Sequence, residues 1–299
     1  MWDRPVKTVI FTRTGFHHTS FINRLQESFE IACVVREAYT EQPKENAMLS
    51  AFRNLLRKST AGQMSDKQFL KKFSETYSAG FRYHPMLKDY LRAHFDVMVE
   101  QKGTQYLNIK CGDINSTELR EFLKSIKPDI IAVLGSSVIK PEMISLPAVA
   151  MINIHSGLSP YYRGTWSYGW PLVNREPEYI GVTVHHVNAG IDAGDIIYQT
   201  RPLLEKYDDL NSIFLKVIAE GIEIMVKAID EISNKGDIMS YQQPGNIGRL
   251  YQMKDFNAGA ARTCLKNLED GIISEYLSLR EARDAKVKLS GYVPPVIFK

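Results

Sequence analysis

The chain has 299 residues, of which 44% are hydrophobic and 24% charged, and a formal net charge of +3 at pH 7. This balance accommodates one large α/β domain with a small appendage and does not announce a nucleic-acid binder. No run approaches the roughly 20 apolar residues of a membrane helix, the start Met1-Trp2-Asp3-Arg4 lacks a signal-peptide layout, and Cys33, Cys111 and Cys264 have neither disulfide-framework nor metal-ligand spacing. A cytoplasmic setting with no metal, no membrane and no nucleic-acid partner is the expectation; a homo-oligomer is compatible with it.

Lys7 to Thr12 reads as a buried strand, Gly15 as a turn, Ser20 to Ser28 as a helix and Ile31 to Val35 as a second strand, which makes a parallel βαβ unit. A long insertion follows, from about 39 to 94. In it Met48, Ala51, Phe52, Leu55 and Leu56 recur at helical spacing, and Ser65 with Gln68 forms a capping box ahead of Phe69, Phe73 and Tyr77. Pro85 can open a further helix carrying Met86, Leu87, Tyr90 and Leu91. Between Glu41 and Arg92 there are 10 Lys/Arg against 5 Asp/Glu, which fits a solvated helical cap or, as the sharper reading, an anion-binding lid.

The strand pattern resumes at Phe95 to Val99 and at Ile130 to Leu134. Before the latter, Ser116 caps a helix whose apolar stripe is Leu119, Phe122, Leu123 and Ile126. Further strands are expected at Ala148 to Ile154 and Gly181 to Val187, then a buried helix over Ile213 to Ile229. From Gly236 the composition changes. Gln242-Gln243-Pro244-Gly245 reads as loop and Asn257 to Leu268 as helix. The expected fold class is α/β: an open, mainly parallel Rossmann-like sheet with helices on both faces, a helical insertion after the second strand and a small C-terminal extension. The expected division is a catalytic domain over 1–235 and the extension over 236–299.

Three polar residues carry the chemistry. Asn153 and His155 are two apart at the end of an apolar strand, so they share one face at its C-terminal end, where open α/β sheets bind ligands. Asp192 follows in Gly190-Ile191-Asp192-Ala193-Gly194-Asp195, a turn bracketed by glycines. An amide donor and an imidazolium aimed at one oxygen can stabilise an oxyanion, and a carboxylate can orient and charge the imidazole. Direct attack by a bound substrate is favoured, since no Ser or Cys sits in an elbow motif. Taken alone, an Asn-x-His at a strand end is more often structural, and His186 reads as a packing histidine. His17 and His18 fall in the first βα loop, where a helix N-terminus attracts anions, although ordinary loop histidines are the commoner case.

The run Asn153-Ile154-His155-Ser156-Gly157-Leu158-Ser159-Pro160-Tyr161-Tyr162-Arg163-Gly164 resembles the signature of the formyltetrahydrofolate-dependent formyltransferases, and Gly190 to Ile197 resembles that family's Gly-Ile-Asp-Thr-Gly-Asp-Ile turn. The family includes glycinamide ribonucleotide transformylase, methionyl-tRNA formyltransferase and the sugar N-formyltransferases. Departures from the common pattern fall at Ser156-Gly157 and Ser159. The resemblance implies that Asn153, His155 and Asp192 are the catalytic residues and that His185 supports them. It also implies that N10-formyltetrahydrofolate is the co-substrate, with Ser137, Val138, Ile139, Val187, Asn188 and Ile191 against its ring. Tyr161, Tyr162, Arg163, Trp166 and His17 are candidates for the acceptor pocket, with packing an equal alternative for Tyr162 and Arg163.

The implied function is formyl transfer to a primary amine of a small substrate, foremost a nucleotide-linked amino sugar by analogy. Hydroxyornithine and glycinamide ribonucleotide are alternative acceptors. Members acting on tRNA carry a C-terminal β-barrel, so methionyl-tRNA is disfavoured. A formyltetrahydrofolate hydrolase and a non-catalytic folate-binding protein are the readings from other classes.

Overall fold

The computed structural model describes residues 4–38, 65–79, 97–245 and 247–296. The strands are β1 (Thr8–Arg13), β2 (Ile31–Ala38), β3 (Gln105–Lys110), β4 (Ile130–Leu134), β5 (Ala150–His155), β6 (Tyr162–Gly164), β7 (Val182–His186), β8 (Ile196–Thr200) and β9 (Arg249–Tyr251). The helices are α1 (Phe16–Ser28), α2 (Asp66–Ala79), α3 (Thr117–Ile126), α4 (Pro141–Ile144), α5 (Trp170–Val173), α6 (Leu210–Lys235), α7 (Ala258–Glu269), α8 (Ile272–Ser278) and α9 (Arg280–Asp284). The main sheet has seven strands in the order β3-β2-β1-β4-β5-β7-β8. β3 through β5 run parallel, whereas β5–β7 and β7–β8 pair antiparallel. This is the expected α/β sheet, with an antiparallel edge added to a parallel body.

Side-chain alternation explains why the body is covered on both faces. Val9 and Phe11 of β1 join Cys33, Val35, Ile131 and Val133 in a core closed by Leu119 and Leu123 of α3. Ile10, between them, turns to the other face and packs with Val34, Ala132, the α1 residues Phe21, Ile22 and Leu25, and the buried stripe of α6. Ser116 caps α3 by accepting from the Leu119 amide, and Ser65 and Gln68 form the reciprocal capping box of α2. Helix α6 starts in a second capping box, Asp209 with Ser212, and stops at Gly236 in the left-handed conformation.

Two sequence expectations need correction. Val97 to Val99 belongs to no strand: the Asn23 side chain donates to the Val97 carbonyl at 2.8 Å and accepts from the Val99 amide at 3.0 Å, occupying the groups a neighbouring strand would use. The third strand is instead Gln105–Lys110, alongside β2. Helix α1 begins at Phe16 rather than Ser20, which brings His17 and His18 into its first turn. The helices expected at Met48 to Leu56 and from Pro85 to Leu91, with the anion-binding lid, lie outside the described residues.

The segment after Gly236 returns to the antiparallel half. Tyr241 exchanges backbone hydrogen bonds with Ile196 at 2.7 and 2.8 Å, and β9 pairs parallel with β6 to make a second, two-stranded sheet. Further on, Gln199 of β8 accepts from the Val293 amide at 2.9 Å. No described helix is long and apolar enough to cross a membrane.

Candidate active site

The antiparallel pairing of β5 with β7 sets Asn153 opposite His185, and their side chains meet at 3.1 Å between Nδ2 and Nε2. His185 Nδ1 lies 2.7 Å from the His186 carbonyl, which can only accept, so Nδ1 carries a proton. Two residues beyond Asn153, the His155 ring is 5% exposed and lies between two acceptors. Its Nε2 donates to the Tyr162 carbonyl at 2.8 Å, and its Nδ1 stands 3.2 Å from Asp192 Oδ2. Only the doubly protonated ring satisfies both acceptors. Burial opposes that charge and is the largest influence, so the pKa is lowered from that of a free imidazole, while Asp192 and the Tyr162 carbonyl act to raise it. A ring balanced in this way can give up or take a proton during a reaction.

Asp192 is the hub. One oxygen accepts from the Gly164 amide at 2.8 Å and faces His155, and the other is 3.6 Å from His185 Nε2. Burial works to raise its pKa, but the neighbouring histidines, His155 foremost, and the hydrogen bond from the Gly164 amide outweigh it and hold the carboxyl well below the usual carboxylate range. Its backbone is left-handed, at φ 47°. Gly194, two residues on, lies so close to the His186 carbonyl that a Cβ would collide with it. Gly164 is likewise obligatory: φ is 86° and a Cβ would meet the Tyr251 carbonyl.

Asn153, His155, His185 and Asp192 line a cavity of about 540 Å³. Ser137, Val138 and Ile139 from the loop after β4 line one wall, and Val187, Asn188 and Ile191 from the loop after β7 line another. Val138 and Ile191 remain largely exposed at its mouth. Asn153, His155, His185, Asp192 and His17 complete the set of sequence candidates that the fold brings together.

Tyr161, Tyr162, Arg163 and Trp166 are not in that lining. The Tyr162 side chain is buried, and its hydroxyl bonds Glu176, Asn174 and Arg249. Trp166 stacks on Phe256 at 4.5 Å. The packing alternative therefore describes Tyr162. From the same loop, Gly164 and Thr165 line the cavity instead. His17 does line it, but not as a cation: burial pushes its pKa down to about 4, and its ring meets Phe214 edge-on at 5.3 Å. His18 is also pushed well below the ordinary histidine value, by burial first and then by His17 and Arg13.

Sequence reasoning passed over several residues. The Glu37 carboxylate, buried at the end of β2, accepts from the Ser137 amide at 2.6 Å and the Gly112 amide at 2.9 Å, fixing the start of the wall loop. Thr12 gives its hydroxyl proton to the Leu134 carbonyl at 2.9 Å and therefore accepts from His18 Nδ1 at 2.8 Å, so His18 is held in one tautomer. A charged residue inside a β-branched strand was the available signal for Glu37. Gln243, which contacts the Asp192 turn, carried none.

Residues 97–229 match the sequence profile of the Formyl transferase family. Over these residues the chain is similar to that family. Among its relatives, the methionyl-tRNA formyltransferase of Desulforamulus reducens is 32% identical over 117 residues, 39% of this chain and 37% of that protein. That of Clostridium beijerinckii is 32% identical over 153 residues, 51% and 48% respectively. The matched region thus spans less than half the length of these curated relatives. In three dimensions the chain resembles a sugar N-formyltransferase from a Shewanella species (14% identity, TM-score 0.51, covering 88% of this chain and 87% of that one). Phosphoribosylglycinamide formyltransferase from Anaplasma phagocytophilum is similar at 15% identity and TM-score 0.51, covering 83% and 98%. The N-formyltransferase from Helicobacter canadensis, in complex with folinic acid and dTDP-3-aminofucose, is similar at 16% identity and TM-score 0.50, covering 87% and 80%. At such identities the likeness shows a shared fold.

Proposed function

We propose that this protein transfers the formyl group of N10-formyltetrahydrofolate to a primary amine of a small substrate, with a nucleotide-linked amino sugar as the acceptor. The observation that carries the reading is the cluster of Asn153, His155 and Asp192 lining the cavity, within the residues that match the formyl transferase profile. The fit of the donor rests on the walls: apolar side chains of Val138, Ile139, Val187 and Ile191 flank the space and suit the faces of a flat bicyclic ring.

The amine attacks the formyl carbon, and the formyl oxygen gains negative charge. Asn153 turns its amide from His185 to donate to that oxygen, and protonated His155 supplies a second donor by turning its Nε2–H from the Tyr162 carbonyl while Nδ1 stays on Asp192. The proton lost by the amine passes by way of His155 to N10 of the departing tetrahydrofolate as the carbon–nitrogen bond breaks. Asp192 orients His155 and balances its charge throughout. The amino-sugar acceptor rests on precedent from the fold neighbours, one of which was captured with folinic acid and an amino-sugar nucleotide. Methionyl-tRNA, named in the curated relatives, is the second reading.

The test is incubation with N10-formyltetrahydrofolate and separate acceptors: nucleotide-linked amino sugars, hydroxyornithine, glycinamide ribonucleotide and methionyl-tRNA, read by mass spectrometry for the gain of one formyl group. Modification of a sugar nucleotide is the expected result, and formylation of methionyl-tRNA alone selects the second reading. Formate release without any amine would make the protein a hydrolase, and no turnover at all would defeat the enzymatic reading.

A further inference from the structure

The C-terminal extension contributes a residue to the site, and that residue has no role in the formyl-transfer scheme above. From the geometry we infer that Gln243 is a positioning residue for Asp192, clamping the turn that carries the carboxylate and so setting its distance to His155. The inference rests on the formyl-transfer reading only for its kinetic arm.

Gln243 Nε2 lies 2.9 Å from the Asp192 carbonyl and 2.6 Å from the Gly194 carbonyl. Both neighbours are acceptors, so the atom facing them must be the NH₂ group, and each of its hydrogens has one partner. The side-chain oxygen of Gln243 is buried and has no hydrogen-bond partner among the described residues, so the two donor bonds are what hold this side chain. They span a segment that needs holding. Asp192 occupies the left-handed region, where a residue with a side chain is disfavoured, and Gly194 is pressed against the His186 carbonyl. Among the described residues the other side chain that reaches the Asp192 carbonyl is Ser159, whose Oγ donates at a long 3.4 Å.

Gln243 is itself anchored from both directions. Tyr241 bridges to Ile196 through two backbone hydrogen bonds. Downstream, Arg249 N donates to the Tyr161 carbonyl at 2.8 Å, and β9 continues along β6 to Gly164, whose amide is the other fixed donor to Asp192. Tyr241, Gln243 and Arg249 with β9 thus grip both loops that meet at His155, and Gln243 is where that grip reaches the acidic turn.

The test uses Gln243→Met, which keeps length and bulk but has no donor, and Gln243→Glu, which sets an acceptor against two carbonyls. Histidine titration by heteronuclear NMR on the ligand-free full chain gives the first readout. The charged and titratable groups acting on His155 are Asp192, His185 and Arg163. Asp192 raises the pKa of His155, so loosening it should lower the His155 midpoint in Gln243→Met; the added carboxylate of Gln243→Glu pulls that midpoint the other way, so the second variant is read by its kinetics. Kinetics give the second: kcat falls roughly tenfold to a hundredfold, while KM for formyltetrahydrofolate and amine changes less than about threefold. A wild-type His155 midpoint in folded Gln243→Met overturns the inference, even if activity is lost. If the variants do not fold, the wild type decides. Its Gln243 side-chain amide protons exchange slowly with solvent if the clamp exists, and at the rate of free glutamine if it does not. Absence of formyl transfer by the wild type would defeat the functional reading and leave both NMR arms intact.

Discussion

At the parallel end of the sheet the cavity wall is fixed by groups buried among strand ends: Glu37 under the Ser137 amide, and Thr12 between His18 and the Leu134 carbonyl. At the antiparallel end the side chains proposed to react are fixed by loops far apart in sequence, with Asp192 held by Gly164, by His155 and by Gln243. The first arrangement shares the rigidity of the core. The second depends on several weak contacts closing together, so it can be detuned without unfolding the protein. A rigid wall on one side of the cavity and an adjustable polar cluster on the other is the division this contrast teaches.

The sharpest way to test the contrast is to remove the antiparallel side's donors. Asn153→Ala and His155→Ala should each lower kcat on the order of 10²-fold or more with little change in melting temperature. Near-wild-type turnover of either would sink the triad assignment. Next, Gly194→Ala should cost activity by more than stability. A Cβ there collides with the His186 carbonyl, so the turn must shift and carry Asp192 with it. We expect a loss of roughly tenfold or more in kcat, since displacements near 1 Å have large kinetic costs.

Glu37→Ala should show the opposite pattern. It leaves the half-buried Ser137 amide and the exposed Gly112 amide without their acceptor, on the order of 1 kcal/mol of stability in denaturant titration. Its kinetic effect should fall on KM for the donor, and an unchanged melting temperature would show the wall to be less rigid than the geometry suggests.

The smallest effect concerns pH. A histidine whose pKa is lower folded than unfolded leaves stability full above its unfolded value, with stability lost as pH falls. His17, lowered from 6.5 to about 4, should therefore erode stability across that window, and His18 and His155 shift the same way. Asp192 is depressed, so its stabilisation is present above the ordinary carboxylate range and is lost as pH falls below it. Melting curves from pH 7 to 4 should fall, and His17→Phe should make the fall shallower; an unchanged slope would mean His17 is not held neutral.

Much of the fold was legible because strand and helix periods are local. The alternation around Ile10, the Ser116 cap and the Ser65–Gln68 box could each be read within a few residues. The strand expected at Phe95 to Val99 failed because a β-branched pattern does not reveal its partner, and the Asn23 side chain took the hydrogen bonds first. In the site, Asn153 and His155 were legible from a spacing of two, and Asp192 from its glycine-bracketed turn. Tyr162 and Trp166 were not separable by sequence into lining and packing, since aromatic side chains serve both, and only their neighbours Glu176 and Phe256 decided it.

By itself, then, the sequence determined which residues could share a face: Asn153 with His155 on β5, and the apolar sets of the two cores. Tertiary structure alone decided that β5 meets an antiparallel β7, so that His185 stands opposite Asn153, and that a loop glutamine 51 residues beyond Asp192 in the chain reaches its carbonyl. The physical reason is range. Backbone sterics and side-chain period act over a few residues, whereas the hydrogen bonds that fix Asp192 come from Gly164 and Gln243, and nothing local to either residue encodes that meeting.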